Sequence, residues 1–559
     1  MKSPILGAAY VARSVNAADN RCINLFPEVI PEGGKEPGFL NRAPGLNLLT
    51  TVGTGPIRGT RSFGGYLYVV SGRRLYKLDT AWAITEIGLV NDSTDPVSMS
   101  DNGTQLFVAC NGPSWIYNSL TLAYAQITDL DFPGALTVGY LDGYFVFIEP
   151  DSQRVWVTSL LDPFSIDPLD FASAEGSPDN LISMIVDHSE VWLFGTNTIE
   201  VWYDSGATDF PLQRIQGAFN ELGCAATFSV AKLDNGLFWL GADERGQGIV
   251  YRNNGYTGQR VSTHAVEWQI QQYETISDAV AYTYQQDGHS FYVLSFPTAE
   301  ATWVYDVAAN AWHERAGWVN GEYVRHRGNT QTFFNGYNVI GDYQNGNIYY
   351  YDLTKYSDHN RIQKWLRSWR ALPTGQNNLK RTANHSLQLD CETGVGLGTI
   401  EGTAATITAV DDTTDTLTVV NTFSPNDVIR YDLTTTLIPG LTDGSSYYVK
   451  SSTATSVILS ETEGGPAVDI TASTGDGTLT QITESDPQVM LRWSDDGGHT
   501  WSREHWISMG KIGEYGRRAI WRRLGMTKKL RDRVYEVSGT DPVKIAIVGA
   551  ELLISPTNA

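Results

Sequence analysis

The stretch Gly64-Gly65-Tyr66-Leu67-Tyr68-Val69-Val70-Ser71-Gly72-Arg73-Arg74-Leu75-Tyr76-Lys77-Leu78-Asp79 decides the fold. A Gly-Gly turn precedes a run of aromatic and aliphatic residues, a second turn follows at Ser71-Gly72, and a second such strand ends on Asp79. Glycine at the turn accepts positive φ without steric cost, as tight hairpins require.

The unit recurs. Its first strand returns as Gln105-Leu106-Phe107-Val108-Ala109, Tyr144-Phe145-Val146-Phe147-Ile148 and Val191-Trp192-Leu193-Phe194-Gly195. Leu237-Phe238-Trp239-Leu240-Gly241, Phe291-Tyr292-Val293-Leu294-Ser295 and Tyr337-Asn338-Val339-Ile340-Gly341 follow, with starts separated by 39, 39, 47, 46, 54 and 46 residues. Asn102-Gly103, Asp142-Gly143, Asn235-Gly236 and Asp287-Gly288 stand just before four of them. Short strands repeating at this period mark a β-propeller, because a lone hairpin cannot bury both faces whereas radially packed blades can. Seven unevenly spaced repeats predict an irregular six- or seven-bladed ring.

Outside the repeats the character changes twice. Residues 1–56 have neither a helical nor a strand period and carry Pro4, Pro27, Pro31, Pro37 and Pro44. They read as an extended N-terminal arm that needs a host domain or a neighbouring subunit to lie on. The propeller is placed at 57–360. A C-terminal β-sandwich-like domain is expected from 361–395 plus 486–559, with Ser386-Leu387-Gln388-Leu389-Asp390-Cys391 and Gln488-Val489-Met490-Leu491-Arg492-Trp493 as strands. Between them, 396–485 holds 21 Thr, no Trp, and 12 acids against Arg430 and Lys450. This reads as an inserted Thr-rich, Ig-like β module at a hairpin tip, where insertion costs little closure entropy.

Composition narrows the function. The chain has 559 residues, enough for several domains, with 16 Trp, 28 Tyr, 19 Phe and 54 Gly, as befits many strands and tight turns. No apolar stretch is long enough to span a bilayer, and the weak apolar run 5–12 is too interrupted for a leader, so a chain made and kept in the cytosol until assembly is expected. Cys22, Cys110, Cys224 and Cys391 are far apart and form no metal or disulfide pattern. A net charge of −22 disfavours sequence-reading contact with nucleic acid, yet suits a surface along which DNA slides.

Few motifs carry chemistry. Ser494-Asp495-Asp496-Gly497-Gly498-His499-Thr500-Trp501 fits the Asp-box pattern of sialidases and other propellers. That motif is a structural turn, and a sialidase also needs an arginine triad and a Tyr/Glu nucleophile pair. Neither a P-loop nor a zinc or serine-hydrolase pattern occurs, so no catalytic residue, cofactor or metal ligand is assigned. In this acidic chain residues 503–533 stand out with ten bases against three acids. Arg517, Arg518, Arg522, Arg523, Lys528 and Lys529 are the candidate interface, facing an acidic neighbour or DNA phosphates in a lumen; a solvated strand face is the plain alternative.

Several segments together carry a family resemblance. The arm reads Asn16-Ala17-Ala18-Asp19-Asn20-Arg21-Cys22-Ile23-Asn24-Leu25-Phe26-Pro27-Glu28, then Arg42-Ala43-Pro44-Gly45-Leu46 and Gly59. Leu160-Leu161-Asp162-Pro163 precedes Phe171-Ala172-Ser173-Ala174-Glu175-Gly176-Ser177-Pro178-Asp179, and Leu193-Phe194-Gly195-Thr196-Asn197-Thr198-Ile199-Glu200-Val201-Trp202 follows. Leu491-Arg492-Trp493-Ser494-Asp495-Asp496-Gly497 and Arg517-Arg518-Ala519-Ile520-Trp521-Arg522-Arg523-Leu524-Gly525 close the set. Over nearly all the chain except 396–485, this order resembles the tail hub or nozzle protein of short-tailed bacteriophages, the packaged-DNA stabilisation protein.

The resemblance implies a virion structural protein rather than an enzyme: a hexamer below the portal and head-to-tail adaptor that extends the DNA channel. It would retain the packaged genome, pass DNA without reading its sequence, and carry a tail needle, tailspike or fibres. An exposed arm and a split C-terminal domain would also favour a closed ring of copies. The alternative is a phage glycan-binding or glycan-cleaving, sialidase-like propeller.

Overall fold

The computed structural model describes all residues except 15–16, 32–33, 35, 175, 177–178, 208–209, 244–245, 374–380, 397–398, 485, 528–532 and 557–559. The chain is all-β, with one short helix, His264–Ile270, among the described residues. It divides into two units: Met1–Cys391 with Val489–Trp506 and Ile520–Ala559, and Glu392–Gln488 with Ile507–Ala519.

The first unit contains seven antiparallel blades. Blade one runs Ile57–Phe63, Tyr66–Ser71, Arg74–Leu78 and Ile84–Leu89, each strand paired with the next. Five further blades follow within 98–126, 138–173, 181–220, 223–260 and 280–314. The seven sequence repeats fall on the second strand of the seven blades, the position buried between neighbours on both faces. The core is therefore distributed: Val70, Leu75, Leu106 and Val108 pack between blades one and two, and Phe107, Ile116, Phe147 and Trp156 between two and three.

Blade seven is completed from the arm. Gly328–Phe334, Tyr337–Asp342 and Asn347–Asp352 are joined by Gly45–Thr51, antiparallel to the last of them, with Tyr350 opposite Asn47. That strand precedes blade one in the chain, so one segment ties the last blade to the first. Val52, Ile57, Leu67, Val339 and Ile348 fill the seam.

The rest of the arm is spent on its own chain. Cys22–Ile23 lies between the outer strand of blade six, Ala311–Glu314, and the sandwich strand Trp365–Arg370, so one sheet runs from the propeller into the C-terminal domain. Leu25–Val29 pairs with Gly38–Arg42, which pairs with Ala546–Pro556 in the second sandwich layer. Each short strand has a different partner, which explains the missing period. The host of the arm is thus this chain, and an uncovered arm no longer argues for a neighbouring copy. The two sandwich layers meet through buried Trp369, whose indole donates to Ser3 Oγ (2.8 Å), and Tyr535, whose hydroxyl donates to Asn384 (3.1 Å).

The second unit contains a closed barrel. Ala405–Asp411, Thr416–Val419, Ser456–Ser460, Ser446–Thr453, Val428–Asp432 and Thr478–Glu484 pair in that order, and the last pairs back with the first. Thr399–Glu401 continues along the same edge of Thr478–Glu484. This corrects the Ig-like expectation: a small β module is present, but it is a six-stranded barrel around Ile407, Leu417, Ile429, Tyr431, Val449 and Leu479 instead of two stacked sheets. The physical reason is Thr478–Glu484, which bonds on both edges and leaves no opening.

Candidate functional site

The basic segment is divided between the units. Arg517 and Arg518 belong to the second, where the loop 509–518 is fixed by backbone bonds. Gly394 donates to Met509 O (3.1 Å), Gly513 to Gly394 O (3.1 Å), and Thr393 Oγ1 reaches the carbonyls of Tyr515 and Arg517 (3.2 Å each). Both arginines are exposed. Arg522 and Arg523 belong to the first unit, at the end of Ala519–Arg522. Trp521 and Leu524 point inward, the Trp521 indole donating to His505 O (2.8 Å), so alternation leaves Arg522 outside. Arg523 takes a left-handed φ of 60° and donates its N–H to His385 O (2.7 Å), which holds its side chain in solvent. None of these four makes an ion pair among the described residues. Lys528 and Lys529 lie outside the described residues. Arg533, another base of the segment, is buried: its guanidinium grips Asp495 (2.7 and 3.0 Å) and Leu524 O (2.8 Å).

The Asp-box is a turn. Asp496 accepts from Ser494 Oγ (2.6 Å), His499 N (3.0 Å) and Thr500 N and Oγ1 (2.8 and 2.5 Å). These bonds, the Ser494 hydroxyl first, hold its carboxyl well below the ordinary range. A carboxylate so bonded to its own turn stays ionised and fixes the turn, which suits a structural role.

The propeller axis encloses a cavity of about 540 Å³ to which the inner strands of all seven blades contribute. Its polar wall includes Thr60, Ser98, Ser100, Ser183, Thr283 and Gln331, and Arg61 pairs with Asp101 (2.8 Å) at its side. Arg58, almost wholly buried, is occupied by Asp95 O (2.7 Å), Gly72 O (3.0 Å) and Asn91. The hydroxyls of this wall can bind water and polar groups. Among the described residues, no cluster of His, Cys, Asp and Glu could hold a metal ion, and no helix is long and apolar enough to cross a membrane.

Where the arm crosses blades six and seven there is a buried polar knot that sequence reasoning missed. Arg315 donates to Pro44 O (2.8 Å) and lies over Tyr351 (5.0 Å), and Arg42 reaches Val543 O (2.8 Å) and Gln363. Burial pushes Arg42 down to about 9 and His313 down to about 3, and His326 is also pushed far down by burial with Arg315 beside it. Asp358 is raised by burial, which the surrounding arginines oppose. Only the arm motif Arg42-Ala43-Pro44 hinted at this knot, since its other members come from scattered strands.

Comparison with known proteins bears on the chain as a whole. The family described as bacteriophage P22 Gp10, β-propeller, matches residues 1–356, and the one described as bacteriophage P22 Gp10, β-sandwich, matches residues 452–555. No curated protein matches the chain in sequence. Among solved structures, it is similar to the computationally designed Ika8 protein, at 12% identity over 55% of this chain and 100% of that one, with a TM-score of 0.34. The N-terminal domain of Nup159 gives 10%, 58%, 97% and 0.34 in the same order. The Cps50 (Swd1) β-propeller domain of Myceliophteria thermophila gives 10%, 55%, 100% and 0.36. Likeness this distant carries no argument about function.

Proposed function

The chain belongs to the bacteriophage P22 Gp10 family of phage structural proteins, and from that premise we propose that it is a subunit of a phage tail hub or nozzle. In this reading it sits below the portal and adaptor, extends the DNA channel, retains the packaged genome, and anchors a needle, tailspikes or fibres. The observation that carries the reading is the succession of propeller and sandwich, matched by the family over residues 1–356 and 452–555. Six copies in a closed ring would follow the same role, as would a place in the virion tail. The sialidase-like alternative gains no support from its one motif, because the Asp-box around Asp496 is a structural turn.

Arg522 and Arg523, exposed in a chain of net charge −22, are assigned to an anionic partner, either an adaptor surface or passing DNA. The test is a phage carrying Arg522→Ser with Arg523→Ser, its tails labelled with antibody to this chain. Label on the tail axis, with assembly or genome retention impaired, is expected. Label on fibres or capsid would sink the hub reading, and wild-type assembly, retention and infectivity would reduce the arginines to a solvated face. Phosphate contacts would add about −0.9 each to the log–log salt slope, whereas a protein partner gives a modest one.

A further inference from the structure

Blade three carries an apolar surface that the fold does not use. In the connection between Arg154–Val157 and Phe171–Ser173, Leu160, Leu161 and Leu169 are 58%, 67% and 78% exposed. Leu130, on the preceding interblade connection, is 100% exposed. These are not loose loops. Ser159 N donates to Ser165 O (2.9 Å), Leu161 N to Gly143 O (2.9 Å), and Ile166, itself buried, donates its N–H to Asp129 Oδ2 (3.2 Å), tying the two connections together. An ordered backbone that holds large aliphatic groups in water marks a contact surface more often than an accident.

The charge around it has one sign. Residues 127–137 and 158–170 hold Asp129, Asp131, Asp162, Asp167 and Asp170 and no base. An occupant must therefore be apolar and cationic together. The same chain presents such a surface elsewhere: the anchored loop of the second unit exposes Ile512 (55%) and Tyr515 (76%) beside exposed Lys511, Arg517 and Arg518.

We infer that the leucine rim of blade three is the seat for the basic loop 511–518 of a second copy of this chain. The contact joins two different surfaces, so it is heterologous and propagates until a ring closes, which sets the neighbours of a hub side by side. Exclusion of water from the leucines supplies the attraction, and the Asp162 and Asp167 carboxylates against Lys511, Arg517 and Arg518 select orientation and partner. This deepens the ring of copies proposed above and rests on it.

The experiment measures the mass of the purified full-length chain across a concentration series. The parent should assemble beyond the monomer. Leu161→Ser with Leu169→Ser, both at exposed positions, should weaken assembly at least about tenfold with the thermal transitions unmoved. Asp167→Arg should weaken it too, as should Arg518→Asp, and the two substitutions together in every copy should restore it. A double charge exchange that fails to rescue, or rim variants that assemble like the parent, overturns this contact while leaving the hub reading to the tail-labelling result. A parent that stays monomeric at every concentration also overturns it.

Discussion

The propeller and the inserted barrel both close on themselves, by opposite means. The barrel closes locally, with every strand drawn from 405–484 and one strand, Thr478–Glu484, bonding on both sides. Its core is a single cluster of aliphatic residues with Tyr431 and Tyr447 and no Trp. The propeller closes only when Gly45–Thr51 meets Asn347–Asp352, and its core is split among the seams between blades. A module closed by its own neighbours can be placed in a hairpin without asking anything of the host. A ring closed by a distant segment makes that segment part of its stability. The buried polar knot follows: Arg315 and Gln363 hold the arm by the Pro44 carbonyl, and Arg42 of the arm donates to the Val543 carbonyl, where side-chain packing alone would leave polar backbone unpaired.

The largest effect that would break this comparison comes from one leucine in each region. Leu46 and Leu417 are both buried to within 1%. Leu46→Ala should cost the propeller about 2–5 kcal/mol in urea unfolding with the barrel transition unmoved, and Leu417→Ala should do the reverse. A single common transition shifted by both would mean that the two regions unfold as one cooperative body.

Acid sharpens the contrast. The folded pKa of His313, near 3, lies below its ordinary 6.5, so between these values the unfolded chain binds the proton and stability falls as pH falls. The slope is at most about 1.4 kcal/mol per pH unit for such a group, and His326 acts in the same direction. His289, raised by its bond to Asp306, contributes stability that is complete below pH 6.5, and with Asp358, raised by burial, it partly offsets the loss. The barrel sequence 396–485 has no histidine, and its lowered carboxyls, Glu401, Asp411 and Asp476, lose their contribution only as pH falls below their ordinary 4.5 and 3.8. Taking the protein from pH 7.5 to 5.0 should therefore lower the propeller midpoint and leave the barrel midpoint in place, as followed by thermal melting at each pH.

The smallest effect is the expected absence of one. Replacing 396–485 by a short Gly/Asn turn should change the stability of the remaining propeller by no more than about 0.5 kcal/mol, as for changes away from a core. Loss of the main thermal transition in that variant would assign the barrel to the core.

The second strand of each blade was legible because turn chemistry and burial are both local there: Asp142-Gly143 sets the hairpin and Tyr144–Ile148 fills two seams. The innermost strands were harder. Ile57–Phe63 carries Arg58, Thr60, Arg61 and Ser62 because it faces the polar axis, which erases the apolar alternation. The pairing of Gly45–Thr51 was invisible because its partner lies some 300 residues away, and barrel closure because the shared strand looks like any other Thr-rich one. Of the candidate basic site, the exposure of Arg522 accords with its place next to inward Trp521, but neither the burial of Arg533 nor the division of the segment between two units has a local signal.

The closure by Gly45–Thr51 also sets an order in time. At about 5–20 residues per second, roughly 15–60 seconds of translation separate that strand from Asn347–Asp352, the strand it must meet. During that interval the first blades can stack as an open arc while the leading segment waits unpaired beside the ribosome. The sandwich waits longer still, because Gly38–Arg42 and Lys2–Ser3 pair with Ala546–Pro556, which lies farther along the chain than Asn347–Asp352. These leading strands are therefore fixed late, and the sandwich has no finished surface until Ala546–Pro556 has emerged.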